Sequence, residues 1–321
     1  MKPELSIIIC TYNGENLIKN CLDSVLKQSY KNFEVICVDG MSADRTREII
    51  KEYIKKDKRI RLIINKKRLP EGKGYGKWLG YKNSNGSIFG IIDQDNILQR
   101  EDLFFKVKEI FYKNKNIAGI LGGVKHDPSD KGIIRYVSFI GTDSFFAYRS
   151  IDFLRNIQDF KKIKIGSENV EKVILTTDNL KITGGNCFFY NKKSLDSIEG
   201  YTQDILVLDK FVKNKKNELI IIKDSTKHYA ENSFFNLTNK KLKWGKNFKS
   251  DKNIKKFNYL PKTKREFFAF TKNLIFCLTI VPNFIYSIKL YKKTKDFIAF
   301  LFPIMAFFNT LAYLFTYLFH K

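Results

Sequence analysis

The residues with the clearest capacity for chemistry are two aspartates separated by one residue, Asp93 and Asp95, which follow the apolar run at 88–92. Paired carboxylates can hold a hard divalent cation such as Mg²⁺ or Mn²⁺ through their oxygens. Such a cation keeps positions open for phosphate oxygens and offsets the charge that grows on a departing diphosphate. An Asp-x-Asp pair is also common on ordinary loops, so its meaning depends on what the fold brings beside it.

Polar residues also follow two earlier apolar runs, at positions 5–10 and 33–38. The set comprises Thr11, Tyr12, Asn13, Glu15, Asp39 and Ser42. Asp39 and Ser42 suit a turn and a helix N-cap, a structural role that is compatible with ligand binding. Together with the aspartate pair, they make three polar segments that each follow an apolar run.

The elements that must position these residues alternate between strand and helix. Apolar runs at 5–10, 33–38, 60–64 and 88–92 predict strands, and the segments at 17–26, 44–54 and 74–85 are read as helices. Repeated β-α-β units predict an α/β fold with a mostly parallel sheet and helices on both faces. Because ligands bind beyond the carboxyl ends of such strands, the polar segments are expected at one functional edge.

The composition excludes several classes of protein. Aromatic residues make up 15% of the 321-residue chain, which excludes a disordered protein. The five cysteines form no C-x-x-C pair, which argues against a disulfide framework or a structural zinc site and favours a reducing compartment. No Gly-x-Gly-x-x-Gly motif follows the first strand and no P-loop is present, so the common dinucleotide and P-loop signatures are missing.

The chain is strongly basic, with 58 Lys and Arg against 33 Asp and Glu and a formal net charge of +25. Such an excess is compatible with binding to nucleic acid, to anionic lipid or to a phosphorylated substrate. The basic run at 240–265 precedes the most apolar part of the chain, which favours anionic membrane lipid. No nucleic-acid-binding motif is present, so we expect no nucleic acid partner.

Three motifs, taken in order, resemble those of the family 2 glycosyltransferases, which have the GT-A fold and use nucleotide-sugar donors. They are LSIIICTYNGE at 5–15, VDGMSADRT at 38–46 and DQD at 93–95. The resemblance covers residues 4–230. It implies a hexosyltransferase-like enzyme of cell-envelope glycan synthesis, with a UDP- or GDP-sugar donor and Mg²⁺ or Mn²⁺ as cofactor.

The resemblance assigns donor-binding roles to a set of residues. The turn after the first strand would line the nucleobase and ribose pocket, and Asp39 would hydrogen-bond the base. Lys77 stands where the family often has arginine and would contact the nucleotide, while Asp93 would face ribose and diphosphate and Asp95 would bind the metal. The donor-binding set is Thr11, Tyr12, Asn13, Glu15, Asp39, Ser42, Lys77 and Asp93.

A general base is implied on the acceptor side. Gln203-Asp204 stands where the family usually has Glu-Asp, so the resemblance makes Asp204 the base; Asp209 is the substitute if the register differs, and Asp204 also suits a helix N-cap. His228 follows the apolar run at 219–222, where some family members place a histidine near the metal. We therefore assign His228 to the metal with Asp95, the alternative being a structural histidine.

The implied reaction is an inverting transfer. Asp204 would take a proton from an acceptor hydroxyl as its oxygen attacks the anomeric carbon from the far side. The acceptor is expected to be a lipid-linked glycan or a polysaccharide precursor. Alternatives are a polyprenyl-phosphate glycosyltransferase, whose ionised acceptor needs no base, a basic membrane-bound nucleic-acid-binding protein, and a catalytically dead scaffold.

The C-terminal part is apolar enough for a membrane. The charge-free stretch Phe297–Phe319 covers about 34 Å as a helix at roughly 1.5 Å per residue, which exceeds a bilayer core of about 30 Å. The weaker stretch Phe267–Ile288 has basic residues on both flanks. We expect it to follow an interfacial or re-entrant path, bent near Pro282 and Asn283, before one true span; a two-span hairpin is the alternative.

These signals divide the chain into three parts. Residues 1–230 are predicted to form the GT-A domain, with a nucleotide-binding half at 1–96 and an acceptor half at 97–230. Residues 231–265 form a basic juxtamembrane segment, and residues 266–321 attach the chain to the cell membrane. The first apolar run lacks the features of a signal peptide, so the catalytic domain is expected in the cytoplasm.

Overall fold

The protein divides into two compact units, Met1–Lys125 with Asp159–His228 and His126–Gln158 with Tyr229–Lys321. The predicted domain limits stay a prediction, but the segment 126–158, which we expected in the acceptor half, groups with the C-terminal region. The computed structural model describes residues 2–67, 74–125, 127, 129–130, 132–140, 160–176, 187–202, 204–229, 233–250 and 264–319.

The first unit is built on a mixed sheet of ten strands among the described residues. The strands are β1 (Leu5–Thr11), β2 (Phe33–Asp39), β3 (Ile60–Ile64), β4 (Ile88–Ile92), β5 (Asn96–Leu98), β6 (Ile117–Val124), β7 (Lys161–Ile165), β8 (Glu168–Ile174), β9 (Cys187–Asn191) and β10 (Glu218–His228). Its helices are α1 (Ile18–Leu26), α2 (Thr46–Lys56), α3 (Gly74–Lys82), α4 (Leu103–Lys113), α6 (Lys192–Asp196) and α7 (Asp204–Lys213), while α5 (Gly132–Ile140) belongs to the second unit.

The strand order is β3-β2-β1-β4-β9-β6-β10-β8-β7, and β5 pairs with β10. The four predicted strands pair in parallel, which confirms the β-α-β reading of the N-terminal half. Beyond β4 the sheet becomes mixed, because β9 runs antiparallel between β4 and β6. Strands β7 and β8 form an antiparallel hairpin whose short turn places Gly166 at a φ of 61°, a conformation that suits glycine.

Local hydrogen bonds shift the ends of the predicted helices. Helix α2 begins at Thr46 rather than Asp44, since the Asp44 carboxylate accepts hydrogen bonds from the backbone N–H and hydroxyl of Thr46 instead of joining the helix. Helix α1 buries Ile18, Cys21 and Val25 against the apolar strands, as its periodicity predicts. The resulting core stabilises the sheet whose carboxyl ends carry the polar segments.

A buried carboxylate links strands at the opposite, amino-terminal edge of the sheet. Glu34 Oε1 accepts hydrogen bonds from Ser6 Oγ at 2.6 Å and from the backbone N–H of Asn85 at 2.7 Å. Its Oε2 accepts from Arg61 at 2.9 Å. Burial by itself raises the pKa of Glu34, but these hydrogen bonds and the Arg61 charge outweigh burial and lower the pKa below its ordinary value.

We expect Glu34→Ala to lower the free energy of unfolding by about 2 kcal/mol, because several buried donors lose their acceptor. Because the folded pKa is depressed, this contribution is complete above the unfolded pKa of about 4.3 and is lost as the pH falls through the folded value. Urea titrations at neutral and acidic pH measure the difference, with Glu52→Ala on the exposed face of α2 as control. A difference between Glu34→Ala and wild type that does not shrink in acid would contradict this reading.

The second unit is helical among its described residues. Besides α5 it contains α8 (Phe234–Ser250), α9 (Lys264–Leu278), α10 (Ile280–Thr294), a 3₁₀ helix (Phe297–Leu301) and α11 (Phe302–Phe319). Ile133 and Tyr136 of α5 pack in one apolar cluster with Phe302 of α11. Arg135 pairs with Asp296 at 2.8 Å, and Asp296 also caps the 3₁₀ helix. Helix α5 is therefore an integral part of the C-terminal unit.

Among the described residues, one helical segment, Phe297–Thr316, is long and apolar enough to cross a membrane. Helices α9 and α10 pass the same test only as a pair, and they meet at an angle of 87°. The break lies at Thr279, a few residues before the predicted bend. Pro282 falls in the first turn of α10, where a backbone N–H has no helical partner, so it does not cause the break.

Candidate functional site

Two loops at the carboxyl edge of the sheet are joined through a buried carboxylate. Thr11, the last residue of β1, donates its hydroxyl hydrogen bond to Asp39 Oδ2 at 2.8 Å. Asp39 also accepts from the backbone N–H and hydroxyl of Ser42, at 2.9 and 2.5 Å, and lies 3.9 Å from Arg47 Nε. Asp39 has no exposed surface. In this arrangement Asp39 joins the two loops. Its bond to the Ser42 N–H is the expected turn, whereas neither residue caps α2, whose N-cap is Arg45.

Hydrogen bonds between backbone N–H groups and side-chain oxygens also join the same two loops. Asn13 donates its N–H to Ser42 Oγ and accepts from the backbone N–H of Ala43, both at 2.9 Å. Glu15 accepts from the backbone N–H of Arg45 at 3.0 Å. These bonds hold Asn13 in a left-handed conformation with a φ of 46°, which asparagine tolerates better than most residues. The predicted residues Asn13, Glu15 and Ser42 therefore shape the edge.

Gln94, between the two aspartates, ties their loop to the turn after β1. Its Oε1 accepts from the backbone N–H of Tyr12 at 3.0 Å, and its Nε2 donates to the carbonyl of Tyr12 at 3.2 Å. The side-chain amide of Gln94 packs directly against Gly14, where an added Cβ would lie 2.3 Å from Gln94 Oε1. Tyr12 keeps 40% of its surface exposed, so its ring is open to a ligand at this edge.

We expect Gly14→Ala to break the bridge and to lower the free energy of unfolding by about 1 kcal/mol, because the added methyl displaces the Gln94 amide. In a Gln94→Ala background the same change should cost much less, since the space is already open. A double-mutant cycle measured by urea unfolding tests this coupling. Strictly additive effects would mean that the Gln94 bridge does not form in solution.

Lys77 on α3 reaches the first aspartate of the pair. Its Nζ lies 3.7 Å from Asp93 Oδ1, and the lysine side chain is largely covered. Beneath this contact, Cys21 points its thiol at the Asp93 carbonyl at 3.7 Å. Burial, with the neighbouring Cys37, Asp95 and Asp93, raises the pKa of Cys21 well above its ordinary value, so it stays a neutral thiol. All five cysteines lie among the described residues and are free thiols.

The second aspartate meets the histidine assigned to the metal. His228 Nδ1 lies 3.5 Å from Asp95 Oδ1 and 3.3 Å from Asn96 Oδ1. The approach follows from strand pairing, because β5 and β10 run antiparallel with His228 directly opposite Asn96. A register shift in the pairing of β10 with β6 lies between Ile222 and Thr226, directly before the residues of β10 that pair with β5.

Asp95 and His228 fit a divalent ion. Ligand bonds in such sites are about 2.1 Å, so one ion could contact two atoms that lie 3.5 Å apart. Within the described part of the chain, no group of three or more His, Cys, Asp or Glu side chains is arranged for a metal. Two protein ligands would leave the remaining positions for water and phosphate oxygens, as is usual for ions that bind nucleotides.

The acceptor side is described only in part. Asp204 is the first residue of α7, but its side chain, like residue Gln203, lies outside the described residues. Asp209 is partly covered and pairs with Lys213 one turn later at 2.6 Å. That pair gives Asp209, the substitute for Asp204, an ordinary structural role on the helix surface.

Gln94, Gly14, Asn96 and Thr46 lie inside or beside the motifs at this edge, but no individual role for them followed from the sequence. Gly14 packs under Gln94, and its N–H also donates to Thr46 Oγ1 at 2.8 Å. Their position in or next to these motifs was the signal that could have pointed to them. Their partners are distant in the sequence, so only folding reveals what they contact.

The family model for Glycosyl transferase family 2 matches residues 6–199. A relative from Methanococcus voltae, a dolichyl N-acetyl-alpha-D-glucosaminyl phosphate 3-beta-D-2,3-diacetamido-2,3-dideoxy-beta-D-glucuronosyltransferase, is 27% identical over 232 residues, 67% of this chain and 69% of that protein. Glycosyltransferase GlyA of Streptococcus pneumoniae is 28% identical over 163 residues, 50% of this chain. The chain covers 22% of GlyA and 45% of GlyG from the same organism.

Solved structures share the fold. The mannosyltransferase PcManGT from Pyrobaculum calidifontis, in complex with GDP-Man and Mn²⁺, superposes with a TM-score of 0.56 at 12% identity and covers 100% of this chain and 89% of its own. TarS 1-349 of S. aureus, in complex with UDP-GlcNAc, gives 0.51 at 15% identity and covers 98% and 90%. These similarities establish the GT-A fold. The family model covers more than half of this chain, and the chain therefore belongs to glycosyl transferase family 2.

Proposed function

We propose that this family 2 glycosyltransferase is a metal-dependent, inverting enzyme that transfers a sugar from a nucleotide-sugar donor to a lipid-linked acceptor. The observation that carries the proposal is the approach of Asp95 Oδ1 and His228 Nδ1 to 3.5 Å. Asp95 and His228 meet at the same edge of the sheet as the two hydrogen-bonded loops that follow β1 and β2. A carboxylate and an imidazole that could hold a divalent ion beside these loops suit the binding of a nucleoside diphosphate.

The donor is proposed to lie along this edge. The exposed ring of Tyr12 offers a surface for a nucleobase, while Lys77 brings a positive charge towards the diphosphate and Asp93. Asp95 and His228 would hold Mg²⁺ or Mn²⁺. When bound, the ion would offset the negative charge that develops on the leaving diphosphate. PcManGT, a structural neighbour in complex with GDP-Man and Mn²⁺, supports this assignment.

The acceptor is proposed to carry a hydroxyl nucleophile. Asp204 would accept the proton of this hydroxyl as its oxygen attacks the anomeric carbon, and a single displacement inverts the configuration. The support for a lipid-linked acceptor is the name of the Methanococcus voltae relative, which specifies a dolichyl-linked sugar phosphate. The alternative, a polyprenyl-phosphate acceptor that needs no base, makes a different prediction for Asp204.

A screen of nucleotide sugars against the purified full chain tests the proposal. With Mn²⁺ present, one UDP- or GDP-sugar at about a hundred times its Kd should raise the Tm by about 5 °C, and a chelator should remove most of this shift. The same donor should be hydrolysed slowly in the absence of acceptor. If no nucleotide sugar or nucleoside diphosphate shifts the Tm with either metal, the proposed donor site is wrong.

A further inference from the structure

On helix α11, part of the polarity pattern expected for a helix in water is reversed. Its buried side chains include the polar groups of Asn309, Thr310 and Thr316. Every exposed side chain that is described on this helix is apolar, and most of these follow one another at intervals of three or four residues. They are Ile304, Phe308, Leu311, Phe315, Leu318 and Phe319. This spacing places the series on one stripe along the helix.

Helix α10 repeats the reversal over its first two turns. Asn283 and Ser287 are buried, whereas Ile280, Val281 and Phe284 are between 50% and 72% exposed. Helices in water cover their apolar side chains and expose their polar ones. Outward apolar and inward polar side chains are the arrangement that a helix adopts where hydrocarbon is the solvent.

At the break between α9 and α10, side-chain hydrogen bonds satisfy backbone carbonyls that have lost their helical partners. Thr279 Oγ1 donates to the carbonyls of Ile275 and Phe276, at 2.8 and 3.1 Å. Asn283 Nδ2 donates to the carbonyls of Phe276, Cys277 and Thr279, at 2.8, 3.3 and 2.8 Å. In a bilayer core each unsatisfied backbone group costs several kcal/mol, because no water can replace the partner. The carbonyls at the end of α9 therefore have the partners that a helix break in lipid requires.

The dimensions of the bend match half a bilayer. Each arm has 15 residues, or about 22 Å at roughly 1.5 Å per residue. Because the arms meet at 87°, the apex lies about 16 Å from the line that joins the two outer ends, roughly half of a 30 Å hydrocarbon core. The exposed Lys264 begins one arm and the exposed Lys289 and Lys292 end the other, where lipid headgroups would lie. Lys272, two turns into α9, can extend its amine towards the headgroups.

We propose that α9 and α10 form a re-entrant V that dips into one leaflet of a lipid bilayer, with Thr279 at its apex and both basic ends on the same side. The apolar stripe of α11 faces the same hydrocarbon. The partner of this surface is thus the bilayer itself, with anionic headgroups at the lysines. The inference rests on side-chain polarity, hydrogen bonding and bend angle, and it does not depend on the proposed transfer reaction.

Cysteine labelling of the full chain in sealed membrane vesicles tests the V. Lys264→Cys and Lys292→Cys should both react with a membrane-impermeant maleimide from the same side, and Phe284→Cys should react only after detergent is added. The wild-type chain reports the background of the native thiols. Labelling of the two lysine positions from opposite sides would show a complete span, and labelling of Phe284→Cys in intact vesicles would show that the apex lies in water; either result overturns the proposal.

A charge introduced at the apex provides a second test, because it should stabilise the start of α10 in water but destabilise the apex in lipid. Ile280 is the first residue of α10, where an added carboxylate stabilises a helix in water. In hydrocarbon the same carboxylate is strongly disfavoured. Ile280→Asp should therefore raise the labelling rate of Phe284→Cys by about a hundredfold, whereas Phe105→Asp on the exposed face of α4 should leave it unchanged. An unchanged labelling rate in Ile280→Asp would contradict the V.

Discussion

Replacing Asp95 with alanine is expected to reduce sugar transfer by about a thousandfold or more, because a metal ion supplies several kcal/mol of stabilisation to a departing diphosphate. The change should leave the fold intact. Asp95 lies at the end of a strand, is partly exposed and contributes no apolar contact to the core. Transfer assays, together with titration of Mn²⁺ monitored by its electron paramagnetic resonance signal, should give the same loss for metal binding as for activity.

The control for Asp95→Ala is Glu52→Ala, which removes an exposed carboxylate from α2. It should change neither Mn²⁺ affinity nor rate. His228→Ala should weaken Mn²⁺ binding as Asp95→Ala does, since its Nδ1 faces the same point. Full activity in Asp95→Ala, or in wild type treated with chelator, would exclude a metal at this pair.

Replacing Asp204 with asparagine is expected to slow transfer by about 10²- to 10⁴-fold if the acceptor is a hydroxyl, the usual contribution of a positioned general base. Asparagine keeps the size of the side chain but cannot take the proton. The acidic limb of the dependence of kcat/KM on pH should disappear with the carboxylate. Donor binding, measured as the thermal shift, should stay near that of wild type, because the base acts on the acceptor.

The Asp204 variant also separates the two acceptor classes. A phosphate acceptor is already ionised, so near-normal turnover of Asp204→Asn would favour polyprenyl phosphate and dismiss the hydroxyl mechanism. The matched control is Asp209→Asn on the same helix, whose carboxylate pairs with Lys213. It should lose little activity. A large loss in Asp209→Asn with a normal rate in Asp204→Asn would show that the base was assigned to the wrong residue.

Much of the carboxyl edge of the sheet could be predicted from the sequence, because short-range patterns determine it. Alternating apolar strands and amphipathic helices require a parallel start to the sheet, and β1, β2, β3 and β4 pair in that way. Parallel strands bring their carboxyl ends to one edge, so polar segments that follow β1, β2 and β4 had to lie near each other. The motif order then pointed to the family that the comparison established.

The detailed roles of individual residues were less predictable. The assignment of Asp39 and Ser42 to the donor stays a prediction. What only the structure showed is that their hydrogen bonds join the loops after β1 and β2 and that Asp39 is fully buried. Gln94 was treated as the spacer between two aspartates, although its amide forms the bridge to Tyr12. A residue type indicates which bonds a side chain can make, while the surrounding backbone determines which of them it makes.

The sequence by itself determined the family, the parallel half of the sheet, the acidic and amide residues at its edge, and an apolar C-terminal region. Tertiary structure alone decided that β9 enters antiparallel and that 126–158 groups with the C-terminal unit. The resemblance had already placed His228 near Asp95, but only the structure showed that the pairing of β5 with β10 brings the two together. The physical reason is the range of the interactions. Periodicity and turn chemistry act over a few residues, whereas the pairing of β10 with β5 joins His228 and Asn96, which are 132 positions apart in the chain.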